Sequence, residues 1–127
     1  MLTFRTATMD DSDLLFRWRN DDLTRRMSKN TDAVQIEGHV AWLQRRLSTD
    51  RPHLYVAFDP DPVGTFRIDG DEISYTVAPD KRGQGIAKAM LTEARKCFGP
   101  LRAEIYRRNE ASIAAAKSSG MIVHIID

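Results

Sequence analysis

The chain has a single cysteine, Cys97, in 127 residues, which excludes an intrachain disulfide and any cysteine-rich metal site. Net charge is nearly absent: 19 basic and 18 acidic residues leave a formal +1, so no global field points to nucleic acid. Long apolar runs are missing as well. None approaches the roughly 20 residues of a membrane span, and Met1-Leu2-Thr3-Phe4-Arg5 is no signal peptide. His53 and His124 lack partner spacing for a metal, and there is no repeat, linker or low-complexity tract. These absences lead us to expect one cytoplasmic domain over residues 1–127, with no metal, nucleic-acid or membrane partner and a single core.

What is present is organised around residues 72–97. Glu72-Ile73-Ser74-Tyr75-Thr76-Val77 alternates and is rich in β-branched and aromatic residues, so it reads as a strand, and Pro79 ends it. A turn follows, Arg82-Gly83-Gln84-Gly85-Ile86-Ala87. Beyond it Ile86, Ala89, Met90, Glu93, Ala94 and Cys97 recur at helical spacing, which places Cys97 on the apolar stripe, and Phe98-Gly99-Pro100 stops the helix. A strand, a glycine turn and a helix start make a site for anions. Gly83 and Gly85 let a ligand lie against the backbone. The first-turn amides lack intrahelical acceptors, and Lys81 and Arg82 add charge at the same end. A diphosphate is the natural occupant. Neither common nucleotide loop fits: the two glycines are one residue apart rather than four, and the third glycine of a dinucleotide fingerprint is Lys88.

The string from Val77 to Ala87 resembles the acyl-CoA signature of the Gcn5-related N-acetyltransferases (GNAT), R/Q-x-x-G-x-G/A, with Arg82, Gly85 and Ala87 at its fixed positions. The resemblance implies that Arg82, Gly83, Gln84, Gly85, Ile86 and Ala87 hold the pyrophosphate of acetyl-CoA. It also implies that the preceding strand bulges and pairs with pantetheine around Thr76 and Val77. A second segment, Asn109-Glu110-Ala111-Ser112-Ile113 closed by Lys117-Ser118-Ser119-Gly120-Met121, resembles the family's Asn-x-x-Ser…Lys-x-x-Gly-Phe. It implies that Asn109 and Ser112 sit beside the pantetheine arm; Asn109 also reads as the cap of the next helix.

The remaining elements agree with that fold. Leu2 to Ala7 alternates as a first strand, and Asp10 to Asp13 supplies caps for a helix whose stripe is Leu14, Leu15 and Trp18. Asn20-Asp21-Asp22 breaks it, and Leu23 to Met27 forms a short second helix. Thr31-Asp32 opens a third, with Ile36, Val40, Leu43 and Leu47 on one face and His39 and Trp42 flanking it. Leu54 to Phe58, Val63 to Ile68 and Glu72 to Val77 form an antiparallel meander; Leu101 to Tyr106 is a strand, Ala111 to Lys117 a helix, and Met121 to Ile126 a last strand. The expected class is α/β of the α+β type: a mixed, mostly antiparallel sheet of six strands flanked by helices, without the family's usual seventh strand. An open edge there invites pairing with a second copy, which a stable monomer in sedimentation at micromolar concentration would exclude.

The N-terminal third, Trp18-Arg19-Asn20-Asp21, Arg25 and residues 37–43, resembles acetyltransferases that acylate the 4-amino group of UDP-linked aminosugars in pseudaminic acid-type pathways. By that likeness Arg19 and His39 face the nucleotide sugar, and Arg19 suits a phosphate because its fork donates two bonds. Arg19 reads equally as a surface ion pair with Asp21 or Asp22, and His39 as a structural histidine. The amine must lose a proton before attack. Glu104 is the candidate base, opposite in face to Leu101, Ala103 and Ile105, with Thr65 positioning a relay water. The family's usual tyrosine, seven residues after the asparagine, is Ala116 here, which leaves water to protonate the thiolate. Arg45-Arg46 and Arg107-Arg108 read as solvated charge. Two other readings stay open: acetylation of protein N-termini or other small amines, and a non-catalytic acetyl-CoA-binding module.

Overall fold

The structure is a computed structural model that describes residues 1–28 and 31–127. The described elements are β1 (Thr3–Thr6), α1 (Ser12–Arg19), α2 (Asp22–Arg26), α3 (Ile36–Leu47), β2 (Leu54–Phe58), β3 (Pro62–Asp69), β4 (Glu72–Val77), α4 (Ile86–Phe98), β5 (Arg102–Tyr106), α5 (Glu110–Ser118) and β6 (Ile122–Ile126). The six strands form one sheet in sequence order, antiparallel from β1 to β4 and parallel from β4 to β6. The mixed sheet flanked by helices is the class the sequence implies.

Two apolar clusters sit on opposite faces of the sheet. On one face α4 buries Met90, Leu91 and Ala94 against Phe66, Ile68, Ile73, Ala103 and Ile105; each buried Leu or Met contributes about 1.5–3 kcal/mol. Gly99 ends α4 by donating its N–H to the Arg95 carbonyl at 2.9 Å. On the other face α1 and α3 pack Leu15, Trp18 and Leu43 over Leu54 and Val56. Thr8 and Asp11 cap the entry to α1 reciprocally, and Arg5 grips Asp11 at 2.8 and 2.9 Å.

Several local expectations need correction. The third helix starts at Ile36, not at Thr31, and its buried axis is His39 and Leu43 while Ile36 is exposed. The rotation follows from α3 packing on α1, where Phe16 and Trp42 flank the His39 ring. Cys97 is exposed, because α4 turns Met90 and Ala94 rather than Cys97 toward the sheet. Arg46 is no solvated charge: it donates to the Pro52 carbonyl at 2.7 Å and to Asp69 at 2.6 Å, tying α3 to β3. The implied bulge in β4 is absent. Its register with β3 runs unbroken from Glu72 to Val77, and the irregularity lies instead between β2 and β3, at Ala57/Phe58.

Gly64 on β3 faces α4, where an added Cβ would stand 2.8 Å from the Thr76 carbonyl oxygen and 2.8 Å from Met90 Sδ. A backbone oxygen cannot swing aside as a methionine can. Gly64→Ala is expected to cost about 2 kcal/mol, a fall of roughly 8 °C in Tm for a domain of this size; an unchanged melting curve by circular dichroism would refute the close approach.

Candidate functional site

The site begins with a parting of strands. β4 and β5 are paired only at Glu72 and Arg102, where Arg102 also holds Asp71 at 2.9 Å and Glu72 at 3.3 Å. Beyond that point the two strands diverge, so the outward backbone edge at Thr76 and Val77 has no pairing with β5. Two cavities flank the gap and meet in it.

The first, about 510 Å³, lies over the glycine turn. Thr76, Val77, Arg82, Gly83, Gly85, Ile86, Ala87, Asn109 and Ser112 line it, which brings together all the residues expected for a coenzyme except Gln84. Gln84 stays outside, exposed, with its Nε2 3.5 Å from the Asp80 carbonyl. Gly83 and Gly85 hold φ of 75° and 78°, a left-handed geometry that disfavours side chains, and a Cβ on either would meet nothing within 4 Å. Ala89 N–H already bonds to the Gly85 carbonyl at 3.1 Å, so the amides of Ile86, Ala87 and Lys88 are the ones without intrahelical acceptors. This is a cradle for an oxyanion, floored by backbone and walled by Leu23, Ala111 and Ala115.

Arg82 does not simply point into the cradle. Its Nη2 donates to Asp21 Oδ2 and, at 3.1 Å, to Thr24 Oγ1. Burial pushes the Asp21 carboxyl up, but the bonds from Arg82 and Thr24 outweigh it and hold it below the usual range. Asp21 is therefore Arg82's partner and not Arg19's. From the other side Arg108, exposed as expected, also donates to the Arg26 carbonyl at 2.8 and 3.2 Å and stacks 4.2 Å over Tyr106. Together the two arginines strap α2 across the mouth shared by both cavities.

The second cavity, about 400 Å³, opens on the α1–α3 face. Residues of three neighbouring strands line it, among them Thr65 and Arg67 from β3, Glu72, Ser74 and Thr76 from β4, Glu104 and Tyr106 from β5. Arg19, His39 and Trp42 close it from the helices. Thr65 gives its hydroxyl proton to the Tyr55 carbonyl at 2.7 Å, which leaves the oxygen to accept from a ligand or water. His39 has 0% of its surface exposed and lies 3.0 Å through Nε2 from the Ser12 carbonyl, so Nε2 carries the proton. Burial keeps this ring's pKa below its ordinary value and uncharged at neutral pH; Nδ1 is left without a partner among the described residues. Asn109 accepts from Ser112 N–H at 3.3 Å, capping α5, and lines both cavities.

Sequence reasoning missed Arg67, Trp42 and Tyr75 as parts of this site. The first two sit at ordinary strand and helix positions, and only the packing of α1 and α3 on β3 brings them into one cavity. Tyr75 reaches from β4 to the Ser112 hydroxyl, and also lies 3.3 Å from the Ser112 carbonyl, tying β4 to α5 beside the gap. Its signal was simple: it is the phenol that alternates with Ser74 and Thr76. Ala116 is fully buried in the core, so no functional group stands there.

Among the described residues no group of three His, Cys, Asp or Glu side chains is placed to hold a metal, and no helix is long and apolar enough to cross a membrane.

Residues 1–122 match the family model described as the acetyltransferase (GNAT) domain. Among solved structures the chain resembles yncA, a putative acetyltransferase from Salmonella typhimurium with its cofactor acetyl-CoA (TM-score 0.71, 24% identity, 94% of this chain and 79% of that one). It also resembles spermidine N-acetyltransferase from Vibrio cholerae in complex with CoA and spermine (TM-score 0.79, 13% identity, 94% and 79%). A third is the aminoglycoside acetyltransferase AAC(6')-Ib in complex with coenzyme A and kanamycin (TM-score 0.70, 14% identity, 94% and 83%). No curated protein matches the sequence.

Proposed function

The chain belongs to the acetyltransferase (GNAT) family, and on that premise we propose how its residues carry out acetyl transfer and to what. It is an acetyl-CoA-dependent N-acetyltransferase, and the acceptor is a primary amine. The observation that supports our assignment of roles is the meeting of the two cavities at Tyr75, Thr76, Asn109 and Ser112, in the gap between β4 and β5. One cavity suits a diphosphate with a long arm, the other a small polar molecule, and only the gap lets them touch.

The amides of Ile86, Ala87 and Lys88 and the bare backbone of Gly83 and Gly85 hold the pyrophosphate of acetyl-CoA, with Arg82 as a further donor. The unpaired edge of Thr76 and Val77 binds the pantetheine amides as a neighbouring strand would, and Asn109 flanks the arm. Bound there, acetyl-CoA presents an activated acyl carbon to an amine entering from the second cavity. Glu104, which lines only that second cavity, takes the amine's proton directly or through a water held at Thr65 Oγ1. Backbone N–H groups near Thr76 and Val77 stabilise the charge that builds on the carbonyl oxygen.

Release of the thiolate needs a proton, and with Ala116 in the position of the family's usual tyrosine it comes from solvent: a thiol with a pKa near about 8.5 is protonated in water at neutral pH once it has left. Burial raises the pKa of Tyr75 above its ordinary 10, with the Ser112 bond opposing in part, so the phenol stays protonated and can donate a hydrogen bond into the gap.

The acceptor we propose is the 4-amino group of a nucleotide-linked aminosugar, on the ground of the likeness across Trp18 to Asp21, Arg25 and residues 37–43, with Arg19 toward the sugar nucleotide and His39, wholly buried, behind the wall that faces it. The test is thiol release from acetyl-CoA with a panel of amines: a UDP-4-amino sugar, spermidine, an aminoglycoside and a peptide N-terminus. Amine-dependent release, fastest with the UDP-4-amino sugar, is expected. Binding of acetyl-CoA with no release for any amine would leave only a binding module.

A further inference from the structure

The second cavity holds two positive charges that the described residues neutralise only in part. Arg19, at the end of α1, sets its guanidinium carbon 4.7 Å from the centre of the Trp42 ring; Arg67, on β3, sets its own 5.9 Å from the same ring. Arg19 Nη1 and Arg67 Nε are closed to solvent and hydrogen-bonded to nothing among the described residues. The carboxylate facing Arg67 is Asp69, whose Oδ2 stands 3.5 Å away and whose Oδ1 is held by Arg46 at 2.6 Å. Arg19 has not even that: burial and the like charge of Arg67 both act against its charged form. Asp32, Glu72 and Glu104 line the same cavity, and Glu72 is engaged by Arg102 at 3.3 Å.

A half-buried guanidinium with an unused donor is costly unless something arrives to use it. Two of them, repelling each other beside one aromatic ring, describe a place for a negative group. We propose that Arg19, Arg67 and Trp42 form an oxyanion subsite of the acceptor cavity, so that the amine acetylated here must carry a carboxylate or phosphate. The inference rests on the acetyltransfer reading and adds to it the charge of the acceptor. It also adds a length. Glu104 lies two strands from Arg67, at least about 10 Å across the sheet because β4 and β5 part before Glu104, which sets the span between the amine and the anionic group, less the reach of the side chains. Polycations such as polyamines meet repulsion where these two arginines stand.

The test uses the protein saturated with acetyl-CoA, so that the glycine-turn cradle is already filled. Binding and thiol release are measured for a UDP-4-amino sugar, an amino sugar phosphate, an α,ω-amino acid, the matching uncharged amino sugar, and spermidine. The oxyanion-bearing amines are expected to bind 10- to 100-fold tighter than the uncharged one, as for one charge-assisted contact, and spermidine weakest. The diphosphate, monophosphate and carboxylate arms identify which oxyanion is preferred. Arg19→Gln and Arg67→Gln should each shrink the anionic-to-neutral ratio at least tenfold, mainly through KM, with retained acetyl-CoA affinity showing that the variants fold. Arg67→Lys, which keeps the charge but not the fork, should restore part of the ratio. Equal binding of charged and uncharged amines, tightest binding of spermidine, or a ratio that survives both Gln variants would overturn the subsite. Efficient release with a neutral amine and no such preference sinks the subsite alone. Oxyanion-selective binding without thiol release sinks acetyl transfer and leaves the subsite standing.

Discussion

Glu104→Gln is expected to lower turnover by about 10²- to 10⁴-fold, the range for loss of a positioned general base. The substitution keeps shape and hydrogen-bonding capacity and removes only the ability to take a proton. Glu104 faces the acceptor cavity from β5 while Ala103 and Ile105 on either side of it are buried, so the change disturbs little of the core. Because it does not line the glycine-turn cavity, acetyl-CoA affinity should stay within about threefold, as expected for a change that removes no contact to that ligand. Stopped-time thiol assays alongside calorimetry would separate the two quantities. Turnover preserved within a few-fold would take Glu104 out of the mechanism.

The second large effect concerns the cradle. At Gly85 the backbone is left-handed, with φ of 78°, and a side chain there would meet no protein atom within 4 Å. Gly85→Val should therefore fold, at a cost of roughly 1–2 kcal/mol for a residue forced into that region. Its branched side chain would occupy the space in front of the first-turn amides of α4. Two lost charge-assisted bonds, at about 1.5 kcal/mol each, correspond to a rise of at least about a hundredfold in the Kd for acetyl-CoA. Calorimetry on a variant with a near-normal melting curve is the measurement; unaltered affinity would mean that phosphate does not sit on these amides.

Legibility from sequence followed the range of the interactions. The glycine turn and its helix were plain because every feature that defines them is local: Pro79 closing a strand, glycines where φ is positive, an apolar repeat along α4. The same locality made Asn109 readable as a cap and Glu104 readable as the outward member of an alternating strand. Partners distant in the chain were not legible. Arg82 finds Asp21, Arg108 finds the Arg26 carbonyl, and Arg46 finds Asp69, contacts that span 61, 82 and 23 positions. No periodicity announces such pairs. The phase of α3 was misjudged for a related reason: Ile36 looks more apolar than His39, but α1 offers His39 a carbonyl and the Phe16 ring, and Trp42 of α3 flanks it.

The order of residues alone determined the individual strands, most of the helices and the glycine turn, since each is specified by neighbours a few positions apart. Tertiary packing decided the rest: where β4 and β5 separate, which cations are left without partners, and what stands beside Trp42. Those outcomes depend on surfaces brought together from across the chain, and a burial cost exists only once the surfaces have met.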